Sequence, residues 1–223
     1  MEKQSKKPKL RFQGSRRRRV YAMTEIALTS AVFCVLAPIA MPIPFSPVPI
    51  TFGTFVLYLT AALLGCRRGT ASVLLYLLIG LAGLPVFSGF TAGFTKLLGP
   101  GGGYMIGYLP AVLLMGWMTE RMTSGRKGLQ ENTEAGNHRR WNIRQSLIMA
   151  GVYTCGSVVC YSFGTAWFLI MMSGTYTLWQ AVLVCVVPFL PFELIKIILA
   201  SVIALPVRQK LRRAGILGTE EFL

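Results

Sequence analysis

Long apolar runs, separated by short polar or proline- and glycine-rich segments, dominate this chain. A helix needs roughly 20 apolar residues to cross the hydrocarbon core of a bilayer. Six runs approach or exceed that length, at about 20–41, 50–64, 70–86, 104–118, 145–172 and 178–207. The pattern predicts an all-α polytopic membrane protein with six transmembrane helices, forming one membrane domain over 20–207.

Two of the connecting segments have unusual compositions. Segment 41–50 is rich in proline and is therefore expected to be stiff and extended. Segment 88–103 is rich in glycine yet carries Phe90, Phe94 and Leu97, which makes it apolar for a loop. Glycine lets the backbone approach a ligand closely. These segments predict the rim and lid of a pocket on one face of the membrane, with ordinary connectors as the alternative.

Lysine and arginine are concentrated in four segments of the chain. These precede the first run, separate the second from the third and the fourth from the fifth, and follow the sixth. With six helices all four lie on one face, and the opposite loops hold only Lys96. The positive-inside rule therefore predicts cytoplasmic termini. The cytoplasmic parts would be a disordered basic tail at 1–19, a loop at about 119–144 and a basic tail at 208–223.

Composition agrees with a location in the cell membrane. Charged residues make up 14% of the chain and hydrophobic residues 53%, whereas soluble domains carry about 25% charged residues. A net charge of +15 would suggest nucleic acid in a soluble protein. Here the basic residues flank apolar runs, so the expected partner is the lipid bilayer and not a nucleic acid.

No constellation typical of catalysis is visible in the sequence. The single histidine, His138, lies in the polar loop, and the five cysteines lack metal-ligand spacing. The glycine-rich 99–103 segment is not followed by the Gly-Lys-Ser/Thr of a phosphate loop. We therefore assign no catalytic residue, metal or cofactor, and ATP hydrolysis would require a partner.

Glu193 and Lys196 lie well inside the sixth apolar run. Ionisable residues at such depth usually mark a functional site, and residues three apart share one helix face. An internal salt bridge is the alternative, but desolvation largely cancels its contribution to stability. We interpret the pair as a solute-binding site. Pro188 and Pro191 would free backbone carbonyls and bend the helix beside it.

The first run carries a small-residue spacing, Ala27-xxx-Ala31. Small residues four apart allow another helix to approach closely. The spacing by itself fits internal packing and a partner subunit equally well. Glu25, about one turn inside the same run, is expected to have a structural role.

Ordered motifs over roughly 23–207 resemble the BioY family. They are PVPIT at 47–51, GTASVLLYLLIG at 69–80, GLPVF at 83–87, LGP at 98–100, GGY at 102–104 and P-x-E-x-x-K at 191–196. Two positions depart from the family pattern: Glu193 replaces an aspartate, and Gly53 stands where a polar residue, often glutamine, follows Pro-Ile-Thr.

BioY proteins are the substrate-binding S components of energy-coupling factor (ECF) transporters and take up biotin. The resemblance implies biotin bound near the outer surface, under the loop joining the first two helices. It also implies a transmembrane coupling protein, which docks on the Ala27/Ala31 face, and two cytoplasmic ATPases. The implied substrate-binding residues are Glu193, Lys196, Tyr104, Gly102, Gly103, Phe87, Phe52 and Thr51.

Biotin suits the pocket inferred from the residues alone. Lys196 can meet its carboxylate or another polar edge, Glu193 can accept a ureido N–H, and aromatic residues can line the apolar bicycle. Both orientations of the ligand stay open at this point. The alternatives are an S component for thiamin or riboflavin, an intramembrane enzyme using Glu193, and a structural subunit without a solute.

Overall fold

The computed structural model describes residues 10–44, 46–124, 138–173 and 175–213. This part of the chain is almost entirely helical, apart from one two-stranded hairpin. The helices are α1 (Leu10–Leu36), α2 (Gly53–Leu81), α3 (Phe94–Leu97), α4 (Gly102–Ser124), α5 (His138–Met171), α6 (Leu178–Cys185) and α7 (Leu190–Arg213), and the strands are β1 (Ala40–Ile43) and β2 (Ser46–Thr51).

Helices α1, α4 and α5 extend further into the basic segments beside their apolar runs than the sequence predicted. Helix α1 begins at Leu10, so residues 10–19 are helical and the expected disordered tail is wrong for them. Helix α4 continues to Ser124 and α5 begins at His138, which shortens the predicted 119–144 loop from both sides. Residues 1–9, 125–137 and 214–223, which include parts of the predicted tails and loop, lie outside the described residues.

Helix α2 contains a sharp reversal at Gly65, where φ is 72° and ψ is −161°. Thr54 and Tyr76 line the same cavity, although a straight helix would separate them by roughly 33 Å. A Cβ atom at Gly69 would lie 3.6 Å from the carbonyl oxygen of Thr60. The two halves of α2 therefore run antiparallel and correspond to the second and third apolar runs.

Glu120 on α4 stabilises this reversal. The break at Gly65 leaves the backbone N–H of Cys66 without its helical acceptor, and Glu120 Oε1 accepts that N–H at 2.6 Å. Because the first N–H groups of a helix need such partners, Glu120 serves as the cap for the second half of α2.

Helix α1 packs alongside the second half of α2 and runs in the same direction. Three contacts follow one another along the pair: an Arg68–Glu25 salt bridge of 2.8 Å, a Ser30–Ser72 hydroxyl contact of 3.1 Å, and a Phe33–Tyr76 ring stack with centroids 5.0 Å apart. The structural role expected for Glu25 is consistent with its bond to Arg68.

The sixth apolar run, predicted as one helix bent at its prolines, is interrupted in the structure. It forms α6, a 3₁₀ turn over Val187–Phe189, and then α7. Pro188 lies in this turn and has no N–H to continue the α-helical ladder. The interruption places Glu193 in the first turn of α7, which opens space beside it.

Four stretches of the described residues are long and apolar enough to cross a membrane, at 19–36, 53–81, 145–171 and 178–208. The sequence predicted six. The second and third runs lie in one of the four, because α2 includes residues on both sides of Gly65. The fourth run lies in α4, which is not among the four.

The proline-rich segment forms an antiparallel hairpin and is extended, as expected. Ala40 pairs with Thr51 and Met41 with Ile50. Side chains of β2 alternate between buried and more exposed positions, as the two-residue period of a strand requires. Val48 and Ile50 belong to an apolar cluster shared with α5 and α6, which holds the hairpin against the helices.

Candidate ligand-binding site

A cavity of about 790 Å³, counted to its opening, lies between the hairpin, the 88–101 segment and helices α2, α4, α5 and α7. The polar lining residues are Thr51, Thr54, Ser88, Lys96, Glu193 and Lys196, and the aromatic ones are Tyr76, Tyr104, Tyr108, Tyr161 and Phe189.

Glu193 is 4% exposed and is surrounded by hydroxyl donors. Tyr58 donates to its Oε1, and Tyr161 and Thr54 donate to its Oε2 at 3.2 and 3.4 Å. The Tyr58 hydroxyl is also hydrogen-bonded to Ser157 on α5. The donors come from α2 and α5 and the carboxylate from α7, so Glu193 joins three helices at the floor of the cavity.

Lys196 is 8% exposed, and its ammonium group is fully engaged. It donates to the Thr51 carbonyl oxygen at 2.7 Å, to Thr54 Oγ1 at 3.0 Å and to Glu193 Oε2 at 3.3 Å. A lysine has three N–H donors, so all of them are used. Lys196 therefore neutralises Glu193 and fastens α7 to the end of β2.

Tyr104 stands in the wall between the floor and the opening. Its hydroxyl donates to the Cys185 carbonyl oxygen at 3.0 Å, and its ring meets Tyr161 edge-on with centroids 5.9 Å apart. A Cβ atom at Gly164 on α5 would overlap the Tyr104 ring. The orientation of this ring thus depends on the absence of a side chain at position 164.

Of the eight residues predicted to bind substrate, Glu193, Lys196, Tyr104 and Thr51 line the cavity. The other four, Gly102, Gly103, Phe87 and Phe52, do not line the cavity.

These four residues have other surroundings. Cβ atoms at Gly102 and Gly103 would overlap the Leu97 backbone and the Trp167 side chain, so these glycines allow close packing at the start of α4. Phe87 is fully buried beside Tyr76, with ring centroids 5.8 Å apart. Phe52 is 46% exposed.

Several residues around the pair were not predicted. Thr54 and Tyr58 are four residues apart, which places them on one side of the start of α2 and was visible in the sequence. Tyr161 had no such signal, because nothing local relates it to Glu193.

Tyr108 explains the glycine at position 53, since its hydroxyl oxygen lies 2.6 Å from where a Cβ of Gly53 would be.

Ala27 and Ala31 are exposed along α1, as is Leu28 between them. The opposite side of the helix carries Ser30 and Phe33, which pack against α2. The small-residue face is therefore not used for packing among the described residues.

Membrane-length helices, with a buried ion pair and aromatic walls around one cavity, define a helical membrane protein that can hold a small polar solute. The chain belongs to the BioY family, whose family model matches residues 5–213.

Relatives and a solved structure agree with this membership. The chain is 32% identical to "Biotin transporter BioY2" of Lactococcus lactis subsp. cremoris, over 84% of this chain and 90% of the relative. It is 30% identical to "Biotin transporter BioY" of Thermotoga maritima, over 75% and 85%. A crystal structure of the S-component for biotin from an ECF-type ABC transporter superposes with a TM-score of 0.67 at 28% identity, covering 86% of this chain and 93% of the other.

Proposed function

We propose that this chain is the biotin-binding subunit of an energy-coupling factor transporter in the cell membrane. The observation that carries the proposal is the cavity itself. It combines a buried, hydrogen-bonded Glu193–Lys196 floor with tyrosine walls, in a chain whose relatives are named biotin transporters.

The floor suits the ureido ring of biotin better than its carboxylate. A ureido N–H can replace the Tyr161 or Thr54 hydroxyl as a donor to Glu193, because hydroxyl groups can turn to other partners. A ligand carboxylate would instead place a second negative charge beside Glu193, and Lys196 has no unused donor for it. The apolar bicycle would then lie against the rings of Tyr104 and Tyr108.

In the proposed arrangement the chain crosses the membrane six times with both termini in the cytoplasm. The reversal at Gly65 supports two crossings within α2, and the basic residues beside it, Arg67 and Arg68, fit the cytoplasmic face. The exposed Ala27/Ala31 face would dock on a transmembrane coupling protein, and two cytoplasmic ATPases would drive uptake.

Radiolabelled biotin binding to the purified full-length chain tests this function. We expect saturable binding of one biotin per chain that excess unlabelled biotin displaces and excess thiamin or riboflavin does not. Uptake into cells should require the coupling protein and its ATPases, whereas binding should not. Displacement by another vitamin, or recovery of the bound solute in chemically altered form, would contradict the proposal.

A matched pair of glycine substitutions on α5 tests the contribution of the Tyr104 ring. Gly164→Ala should weaken biotin binding by about tenfold, because its methyl group overlaps the ring in the cavity wall. Gly151→Ala should leave binding unchanged, since nothing lies within 4 Å of the added carbon. Calorimetry on both variants measures the difference, and equal affinities would show that the ring position does not matter.

A further inference from the structure

The hydrogen bonds of Lys196 at the floor of the cavity leave no donor there for the carboxylate of the ligand. All three donors of Lys196 are used within the protein, and its charge is matched by Glu193 at 3.3 Å. A carboxylate that is removed from water needs a cation or several donors. The partner for an acidic group in this cavity therefore has to come from elsewhere in the wall.

The wall contains one other cation, Lys96 on α3. It is half-buried, and within the described residues no hydrogen bond or ion pair engages its ammonium group. Among the described residues that line the cavity, the one acidic residue is Glu193, which is already paired with Lys196. Lys96 is thus the cation with donors available to a ligand.

The backbone on each side of Lys96 is tied to the bundle. The N–H of Gly93 donates to the carbonyl oxygen of Gly80 at 2.9 Å, and the indole N–H of Trp167 donates to the carbonyl oxygen of Gly99 at 3.2 Å. These bonds keep the short α3 helix beside the cavity, so Lys96 does not depend on a loose loop for its position.

We propose that Lys96 binds the carboxylate of the solute, so that the protein selects the free acid over neutral esters and amides of the same molecule. This inference rests on the proposed function, since it assumes that biotin occupies the cavity with its ureido ring on the Glu193 floor. Lys96 is a specificity-determining residue in this arrangement, because it distinguishes ligands only at their charged end.

Binding measurements on two proteins and two ligands test the inference. The purified full-length chain and its Lys96→Met variant are each titrated with biotin and with biotin methyl ester, which lacks the charge. We expect the parent to prefer biotin by roughly ten- to a hundredfold, the range of a charge-assisted hydrogen bond. Lys96→Met should lose that preference by binding biotin more weakly, while its affinity for the ester stays the same.

Two further variants separate charge from structure. Lys96→Arg should keep the preference for the acid, and Thr95→Met should behave as the parent, because Thr95 is exposed on the same helix and does not line the cavity. The inference is overturned if Lys96→Met still prefers biotin, or if it loses affinity for both ligands equally. Failure of the parent chain to bind biotin would instead overturn the proposed function, so the two failures are distinguishable.

Discussion

Lys196→Met is expected to abolish detectable biotin binding and to lower the free energy of unfolding by about 3–5 kcal/mol, the usual cost of removing one partner of a buried ion pair. Glu193 would remain as a carboxylate that is 4% exposed and has lost its cationic partner. The Thr51 carbonyl oxygen would also lose a 2.7 Å hydrogen bond, which releases the end of β2 from α7.

The double variant Glu193→Gln/Lys196→Met separates stability from binding. Removing both charges leaves no uncompensated ion, so most of the lost stability should return. Biotin binding should stay absent, since the acceptor for the ureido N–H has changed. Thermal unfolding in detergent and calorimetry measure the two effects. If the Lys196→Met variant is as stable as the parent, the pair is not buried as described.

Gly65→Ala is expected to lower the free energy of unfolding by about 3 kcal/mol or more, through two separate effects. At φ 72° and ψ −161°, a region that essentially only glycine adopts, an alanine is strained by about 1–3 kcal/mol. Its Cβ would also overlap the Glu120 carboxylate that caps Cys66. Displacing Glu120 leaves that N–H unpaired, which adds about 1–3 kcal/mol.

Gly83→Ala is the matched control for backbone strain. Gly83 also has a positive φ, 104°, but nothing lies within 4 Å of a Cβ at this position. We therefore expect it to cost only the strain of about 1–2 kcal/mol. Thermal unfolding of both variants gives the comparison, and equal losses would show that the contact with Glu120 adds nothing to the effect of the backbone.

The apolar runs predicted most of the helices, because hydropathy and helix breakers are local properties. Pro42 and Pro44 ended the first run where the structure places the hairpin. In the sixth run hydropathy is continuous across Val187–Phe189 while the helix is not, and only Pro188 and Pro191 indicated a bend there. The start of α1 at Leu10 was missed for the opposite reason: arginine favours helix formation but lowers hydropathy.

The floor of the cavity was partly predictable in the same way. Glu193 and Lys196 stood out because a charge inside an apolar run is costly wherever it points. Tyr161 and Tyr58 are ordinary tyrosines in sequence, and only the packing of α2 and α5 against α7 makes them donors to Glu193.

The sequence alone determined that this is a helical membrane protein of the BioY family with two charged residues inside its last apolar run, because composition, local periodicity and ordered motifs carry that information. The tertiary structure decided which hydrogen bonds Glu193 and Lys196 can still make to a ligand. Lys196, assigned by its charge to a ligand, has all three donors satisfied by residues mostly distant in the chain. Lys96, in the short helix α3, has no donor satisfied by any of the described residues. Hydrogen-bond saturation depends on distances between segments that folding brings together, and no local pattern records it.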